Sequence, residues 1–305
     1  MTAAGWLWIP ISIAAAFAQT LRNAAQRHLT AELGTLGATL VRFLYGLPFA
    51  VLWLGAVHAG GGFPLPRPNP AFAGWIALGS VSQVIGTALL LRVMAERNFT
   101  LGVAYSKSEI IQVAVFGFLF LGDRVTPGAA VAIGLGTFGV LLLAPADRQR
   151  PIRALLVGWT TRPALFGLAS GTAFALSAVG YRGAALALHG TAFPMAAAFS
   201  LVAAQSLQTA LLGGWLRLRH AGVVTRVLRA WRTSLFAGFM GAAASAGWFT
   251  AMAIEPVAHV RTLGLIELLF SYVISHRVFR ERLTRLELTG VAILTLGLVI
   301  VTLAR

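Results

Sequence analysis

The chain carries the same stretch twice. Tyr105 to Thr126 reads YSKSEIIQVAVFGFLFLGDRVT, and 158 positions later Leu263 to Thr284 reads LGLIELLFSYVISHRVFRERLT. Glu109 falls on Glu267, Asp123 on Glu281, Arg124 on Arg282 and Thr126 on Thr284; beyond them Thr137 meets Thr295 and Gly139 meets Gly297. Any fold must therefore use one unit in two places, with the same polar residues recurring at matching depth.

What surrounds the repeat is strongly apolar: 58% of residues are hydrophobic, 11% are charged, and the mean hydropathy is +0.80. A soluble fold has too little interior to hide this much apolar surface, whereas a bilayer solvates it. A spanning helix needs about 20 mostly apolar residues. Such spans are expected near 6–22, 36–57, 72–91, 101–121, 128–145, 164–186, 193–215, 234–253, 261–276 and 287–304. The reading is an all-α integral membrane protein of ten transmembrane helices, five plus five. Its start, MTAAGWLWIPISIAAAFAQ, has no basic residue ahead of the apolar run and reads as a retained first helix. Cysteine is absent, which excludes disulfides and thiolate chemistry.

Of the 24 Lys and Arg residues, 17 fall in the odd-numbered connections, including Arg22, Arg27, Arg148, Arg226 and Arg277. By the positive-inside rule those connections are cytoplasmic and both termini face the other side. That bias accounts for the net charge of +15 without nucleic acid as a partner. An odd number of helices per half puts the second copy into the membrane upside down. This is an inverted repeat, the construction of many secondary transporters, with substrate expected near the midplane between halves. The halves are 1–146 and 164–305, joined by an Arg- and Pro-rich cytoplasmic linker, 147–163. Thr126-Pro127 reads as an N-cap with proline in the first turn, and Thr284-x-x-Glu287 as a capping box. Gly134, Gly136, Gly139, Gly167, Gly171, Gly238, Gly241 and Ser245 offer small faces for close helix packing.

An apolar helix ending in Gly-Asp/Glu-Arg-hydrophobic-Thr, followed by a glycine-bearing helix, once per half, resembles the drug/metabolite transporter (DMT) superfamily, in its EamA-like ten-helix branch. Gly122-Asp123-Arg124-Val125-Thr126 and Arg280-Glu281-Arg282-Leu283-Thr284 carry the resemblance, with Leu40-Val-Arg42-Phe-Leu44 similar to the family's second-helix Arg-Phe-Leu. It extends from Trp6 to Leu303 and implies a transporter of the bacterial inner membrane. Two departures stand out. The family commonly starts its fourth and ninth helices with a small residue and a proline, where this chain has Ser108-Glu109 and Ile266-Glu267. Its usual charge bias also keeps the termini inside.

Carboxylates within spans are costly enough to imply a use. Tyr105, Glu109, Gln112 and Phe116 share a helical face by their spacing of three and four, as do Leu263, Glu267, Phe270 and Ile274. Glu109 and Glu267 are therefore expected to line a central cavity and to bind a cationic group or a proton. Arg42 is the natural partner for Glu109 or for a substrate carboxylate, unless it snorkels to the cytoplasmic face. Lys107, Arg182 and Arg261 are expected to snorkel at span ends. Trp248, mid-span, could stack on a ligand, while most other tryptophans belong to interfacial belts. Asp123, Arg124, Glu281 and Arg282 sit at helix connections, where a structural role favouring the next helix start is expected. The six histidines show no metal-ligand spacing, so neither a metal nor another cofactor is expected.

The functional expectation is a secondary transporter, a probable exporter of small polar or zwitterionic metabolites such as amino acids, with proton exchange at the glutamates for coupling. One chain with two halves could enclose the site as a monomer. A lipid flippase is the alternative. A membrane enzyme is disfavoured by the lack of a nucleophile elbow, a His-Glu-x-x-His helix or a phosphate loop.

Overall fold

The computed structural model describes residues 6–96, 106–143, 162–279 and 285–303. Tyr105, Glu281, Arg282, Thr284 and most of the linker, 147–161, lie outside the described residues. All regular structure within them is helical. The helices are α1 (Trp8–Leu44), α2 (Leu47–Gly61), α3 (Pro70–Glu96), α4 (Glu109–Phe116, continued by a π turn over Gly117–Leu121), α5 (Pro127–Leu143), α6 (Arg162–Ala187), α7 (Phe193–Arg219), α8 (Ala221–Arg229), α9 (Trp231–Ile254), α10 (Val257–Leu263), α11 (Ile266–Phe279) and α12 (Arg285–Leu303).

Among the described residues four helical stretches are long and apolar enough to cross a membrane: Trp8–Gly61, Pro70–Met94, Phe193–Arg219 and Trp231–Ile254. The distribution of side chains agrees with a lipid solvent. Leu52, Phe118, Leu119, Phe120 and Leu218 are exposed, while Arg22, Arg42, Lys107, Glu109 and Glu267 are buried. In water this arrangement would be inverted, because a charge leaves a high dielectric only where the outside is still less hospitable.

Three helix pairs dominate the packing: α3 on α6, α1 on α9 and α5 on α12. Shifting α1, α3 and α5 by the 158 positions of the sequence repeat lays them on α6, α9 and α12, so the first pair maps onto the second and the third onto itself. Each pair closes through glycine. A Cβ on Gly180 would lie 2.8 Å from the Gly79 nitrogen, one on Gly297 3.0 Å from the Gly136 nitrogen, and one on Gly247 2.7 Å from the Ala15 Cβ. Backbones come this close where there is no water to drive association and dispersion must do it. Gly136 and Gly238 make such contacts and Gly241 meets the side chains of Arg22 and Arg42, whereas Gly134 faces open space.

The sequence reading ended the first span at residue 22, but α1 stays helical to Gly34, where φ is +70° and the chain kinks into the second span. Glycine takes that left-handed conformation without Cβ strain. Arg22 is thus an interior residue and not a cytoplasmic loop residue. Between α7 and α9 lies a short unexpected helix, α8, which buries Val227 and accepts a hydrogen bond from the Tyr45 hydroxyl at the Val227 carbonyl, 3.0 Å. Gly122 takes the left-handed cap of the π turn, φ +68°, and the Thr126 hydroxyl accepts from the Ala129 N–H at 3.2 Å, so the N-cap at α5 is as expected.

Candidate functional site

A turn leading into α4 and a break between α10 and α11 build the site. Ser106-Lys107-Ser108 forms a turn ahead of α4, and Gly264-Leu265 separates α10 from α11. The carboxylates stand in the first turns of α4 and α11, as Glu109 and Glu267. Because of the second break, Leu263 is not on a continuous helical face with Glu267. Packing holds both breaks in place. A Cβ on Gly171 of α6 would sit 2.6 Å from Ser108 Oγ and 2.9 Å from the Ser106 carbonyl, and one on Gly264 would sit 2.9 Å from Trp248 Cη2.

A stripe on α1 completes the floor. Gln19, Arg22, Asn23 and Gln26 recur at spacings of three and four, one face of a helix, and Arg22, Asn23 and Gln26 are buried. Asn23 Nδ2 donates to Glu267 Oε1 at 2.7 Å, and Gln19 Nε2 to Glu267 Oε2 at 2.7 Å. Lys107 Nζ reaches the same Oε2 at 2.5 Å. Arg22 Nη2 donates to Asn23 Oδ1 at 2.6 Å, and the Trp248 indole N–H to Gln19 Oε1 at 2.9 Å. Arg261 brings Nη1 to 3.7 Å from Glu109 Oε1 and lies over the Trp248 ring, 5.2 Å from its centroid. Each glutamate is therefore paired with a cation from the stretch around the other glutamate: Lys107 with Glu267, and Arg261 with Glu109.

Gln19, Arg22, Asn23, Lys107, Glu109, Trp248, Arg261 and Glu267, with Arg42, Gln83, Phe174, Tyr181 and Phe249, line one cavity. Its volume is ≈ 20 Å³, room for about one water. The site is closed around its own charges. On its far wall the Tyr181 hydroxyl donates to Gln83 Oε1 at 2.9 Å, and Gln208 Nε2 donates to both, at 2.8 Å each.

Glu109, Glu267, Arg42 and Trp248 line the same cavity. Gln112 does not line the cavity; it is half-buried, with Nε2 3.5 Å from Ser108 Oγ. Arg42 is buried and donates through Nη1 to Thr87 Oγ1 at 3.0 Å, while Arg261 takes the place beside Glu109. Three snorkelling expectations are corrected. Lys107 and Arg261 turn inward because a buried carboxylate awaits each, Glu267 and Glu109. Arg182 ion-pairs with Asp123, Nη2 to Oδ1 at 3.0 Å, and donates through Nη1 to the carbonyls of Met252 and Glu255 at 2.7 and 2.8 Å. Asp123 is thus half of a clasp across helices, beyond its expected influence on the next helix start, and Arg124 is exposed. His259 Nδ1 is 2.7 Å from Glu255 Oε1, a carboxylate pairing the sequence reading missed. Among the described residues no group of three or more His, Asp or Glu side chains could hold a metal ion.

No family model and no curated protein matches the chain. A protein solved by crystallography is similar to it with a TM-score of 0.69 over 98% of this chain and 97% of that chain, at 15% sequence identity. At that identity the likeness speaks for the fold alone, over the full length of both chains.

Proposed function

We propose that the chain is a secondary transporter of the bacterial inner membrane that moves a small polar metabolite by alternating access. In this reading it crosses the bilayer ten times as two inverted five-helix halves, with both termini on the non-cytoplasmic side, as in the DMT-like architecture the sequence resembles. The observation that carries it is the reciprocal pairing of Glu109 and Glu267 with cations of the opposite half in one closed cavity. Interrupted helices are tolerated at membrane depth where they are buried in protein or line a cavity, and in transporters they mark the substrate site. A cavity of ≈ 20 Å³ admits no metabolite, so binding requires the halves to part, and parting them breaks the two cross-half pairs. A substrate that replaces those contacts differently in the inward- and outward-open states shifts their populations, which is what transport requires. Gly34, with its positive φ, is placed to act as a hinge in α1.

Zwitterionic solutes such as amino acids and proton coupling through the two glutamates are the sequence-level form of this proposal. Purified protein in liposomes, offered labelled amino acids and organic acids with and without a pH gradient, tests it. Saturable uptake that Glu267→Gln and Glu109→Gln uncouple from the gradient supports the reading. Full proton-driven transport by Glu267→Gln at every pH withdraws the coupling role.

A further inference from the structure

The charges of the cavity do not balance. Arg22, Arg42, Lys107 and Arg261 face Glu109 and Glu267, four cations against two carboxylates. Lys107 and Arg261 satisfy the glutamates. Arg22 and Arg42 are left over. Among the described residues neither has an acidic partner within ion-pair distance: Arg22 donates to the Asn23 amide and Arg42 to the Thr87 hydroxyl, both neutral. Arg22 Nε and Nη1 and Arg42 Nε, all buried, have no hydrogen-bond partner. The two side chains run together, since a Cβ on Gly241 would lie 3.3 Å from both Arg22 Cδ and Arg42 Cγ. Guanidinium does not lose its proton in proteins, and a space for about one water cannot hydrate two of them. Something anionic belongs between them.

We infer that the transported substrate is a small organic dianion, a dicarboxylate or a phosphate monoester, whose anionic oxygens take the idle N–H groups of Arg22 and Arg42. The planar donor fork of arginine matches carboxylate and phosphate oxygens in pairs, which a point charge such as ammonium does not. Two negative charges bring the cavity to neutrality, whereas a neutral zwitterion leaves both excess charges in place. Phe174, Trp248 and Phe249 supply the apolar wall for the carbon skeleton. This inference rests on the transporter reading and narrows its substrate class.

Thermal stabilisation of the purified full-length protein reports binding to the folded state. The probes, at matched ionic strength, are succinate, glycerol 3-phosphate, inorganic phosphate, propionate, alanine and chloride. Succinate or glycerol 3-phosphate should bind at least about 10-fold more tightly than propionate or alanine, the scale of one charge-assisted contact. Whichever of the two binds better names the source of the dianion. In Arg42→Gln and Arg22→Gln that preference should fall about 10-fold or more. Arg42→Lys keeps the charge and the fold but loses the fork, so it should lose most of the preference too. Equal stabilisation by alanine and succinate, or by chloride and succinate, overturns the inference, as does an Arg42→Lys protein with unchanged selectivity. The two proposals fail separately. Flux of alanine without any preference for dianions leaves the transporter and removes the anion site, while dianion binding without flux in liposomes keeps the site and removes the transporter.

Discussion

Neutralising the charges of the cavity one at a time should destabilise the protein in an order that depends on which charges are in excess. Glu267→Gln is the severe change. Glu267 accepts from Lys107, Gln19 and Asn23 at 2.5 to 2.7 Å, so a glutamine amide would face donors with a donor and leave Lys107 without its buried counterion. Removing one partner of a buried pair costs about 3–5 kcal/mol. Lys107→Met removes the same pair from the other side, but Glu267 keeps its two amide donors and one excess positive charge disappears. Loss of a charge-assisted hydrogen bond, about 1.5–3 kcal/mol, is then partly offset, leaving about 1–2 kcal/mol. Arg42→Met gives up one hydrogen bond to the Thr87 hydroxyl and in exchange relieves repulsion from Arg22, for a net change within about 1 kcal/mol. At about 2 °C per kcal/mol for a chain of this size, melting in detergent at a fixed scan rate should fall by roughly 6–10 °C for Glu267→Gln, a few degrees for Lys107→Met, and little for Arg42→Met. If Arg42→Met is the least stable of the three, or Lys107→Met matches Glu267→Gln, the charge reasoning is wrong.

Two further outcomes follow from the packing around the site. Gly171→Ala places a methyl 2.6 Å from Ser108 Oγ and 2.9 Å from the Ser106 carbonyl, so the turn that carries Lys107 and Glu109 must shift. Transport should drop about 10-fold or more from misplacement of order 1 Å, with the melting temperature lowered less than in Glu267→Gln; normal flux would show that the turn tolerates displacement. Arg182→Met leaves Asp123 and the carbonyls of Met252 and Glu255 unpartnered and should cost about 3 kcal/mol, and Asp123→Asn on that background should recover part of it. Additive losses in the double mutant would show that the clasp is not a coupled pair.

The sequence made the helices legible because lipid solvation leaves long apolar runs with little ambiguity, and the repeat picked out Glu109 and Glu267 before any contact was known. Thr126 announced its cap for a local reason, an N-cap hydroxyl ahead of proline. Partners of the glutamates were hidden because pairing across halves is non-local: Lys107 meets Glu267 from 160 positions away. A signal for the α1 stripe was present, since Gln19, Arg22, Asn23 and Gln26 keep a helical period past the end of the apolar run. It was obscured by Arg22, which looks like a loop cation when charge alone decides where a span stops. Lys107, Arg182 and Arg261 were misassigned on the same ground, because snorkelling assumes no carboxylate within reach, and here each has one.

Counterflow is the most direct test of the central claim that one closed site between two halves carries a solute from side to side. Liposomes loaded with unlabelled succinate, glycerol 3-phosphate or an amino acid are diluted into trace labelled solute of the same kind. The account predicts transient, saturable accumulation of label that Arg42→Gln abolishes and chemically unchanged solute inside. Binding of the solute to the protein with no accumulation of label, or recovery of a chemically altered product, would contradict it.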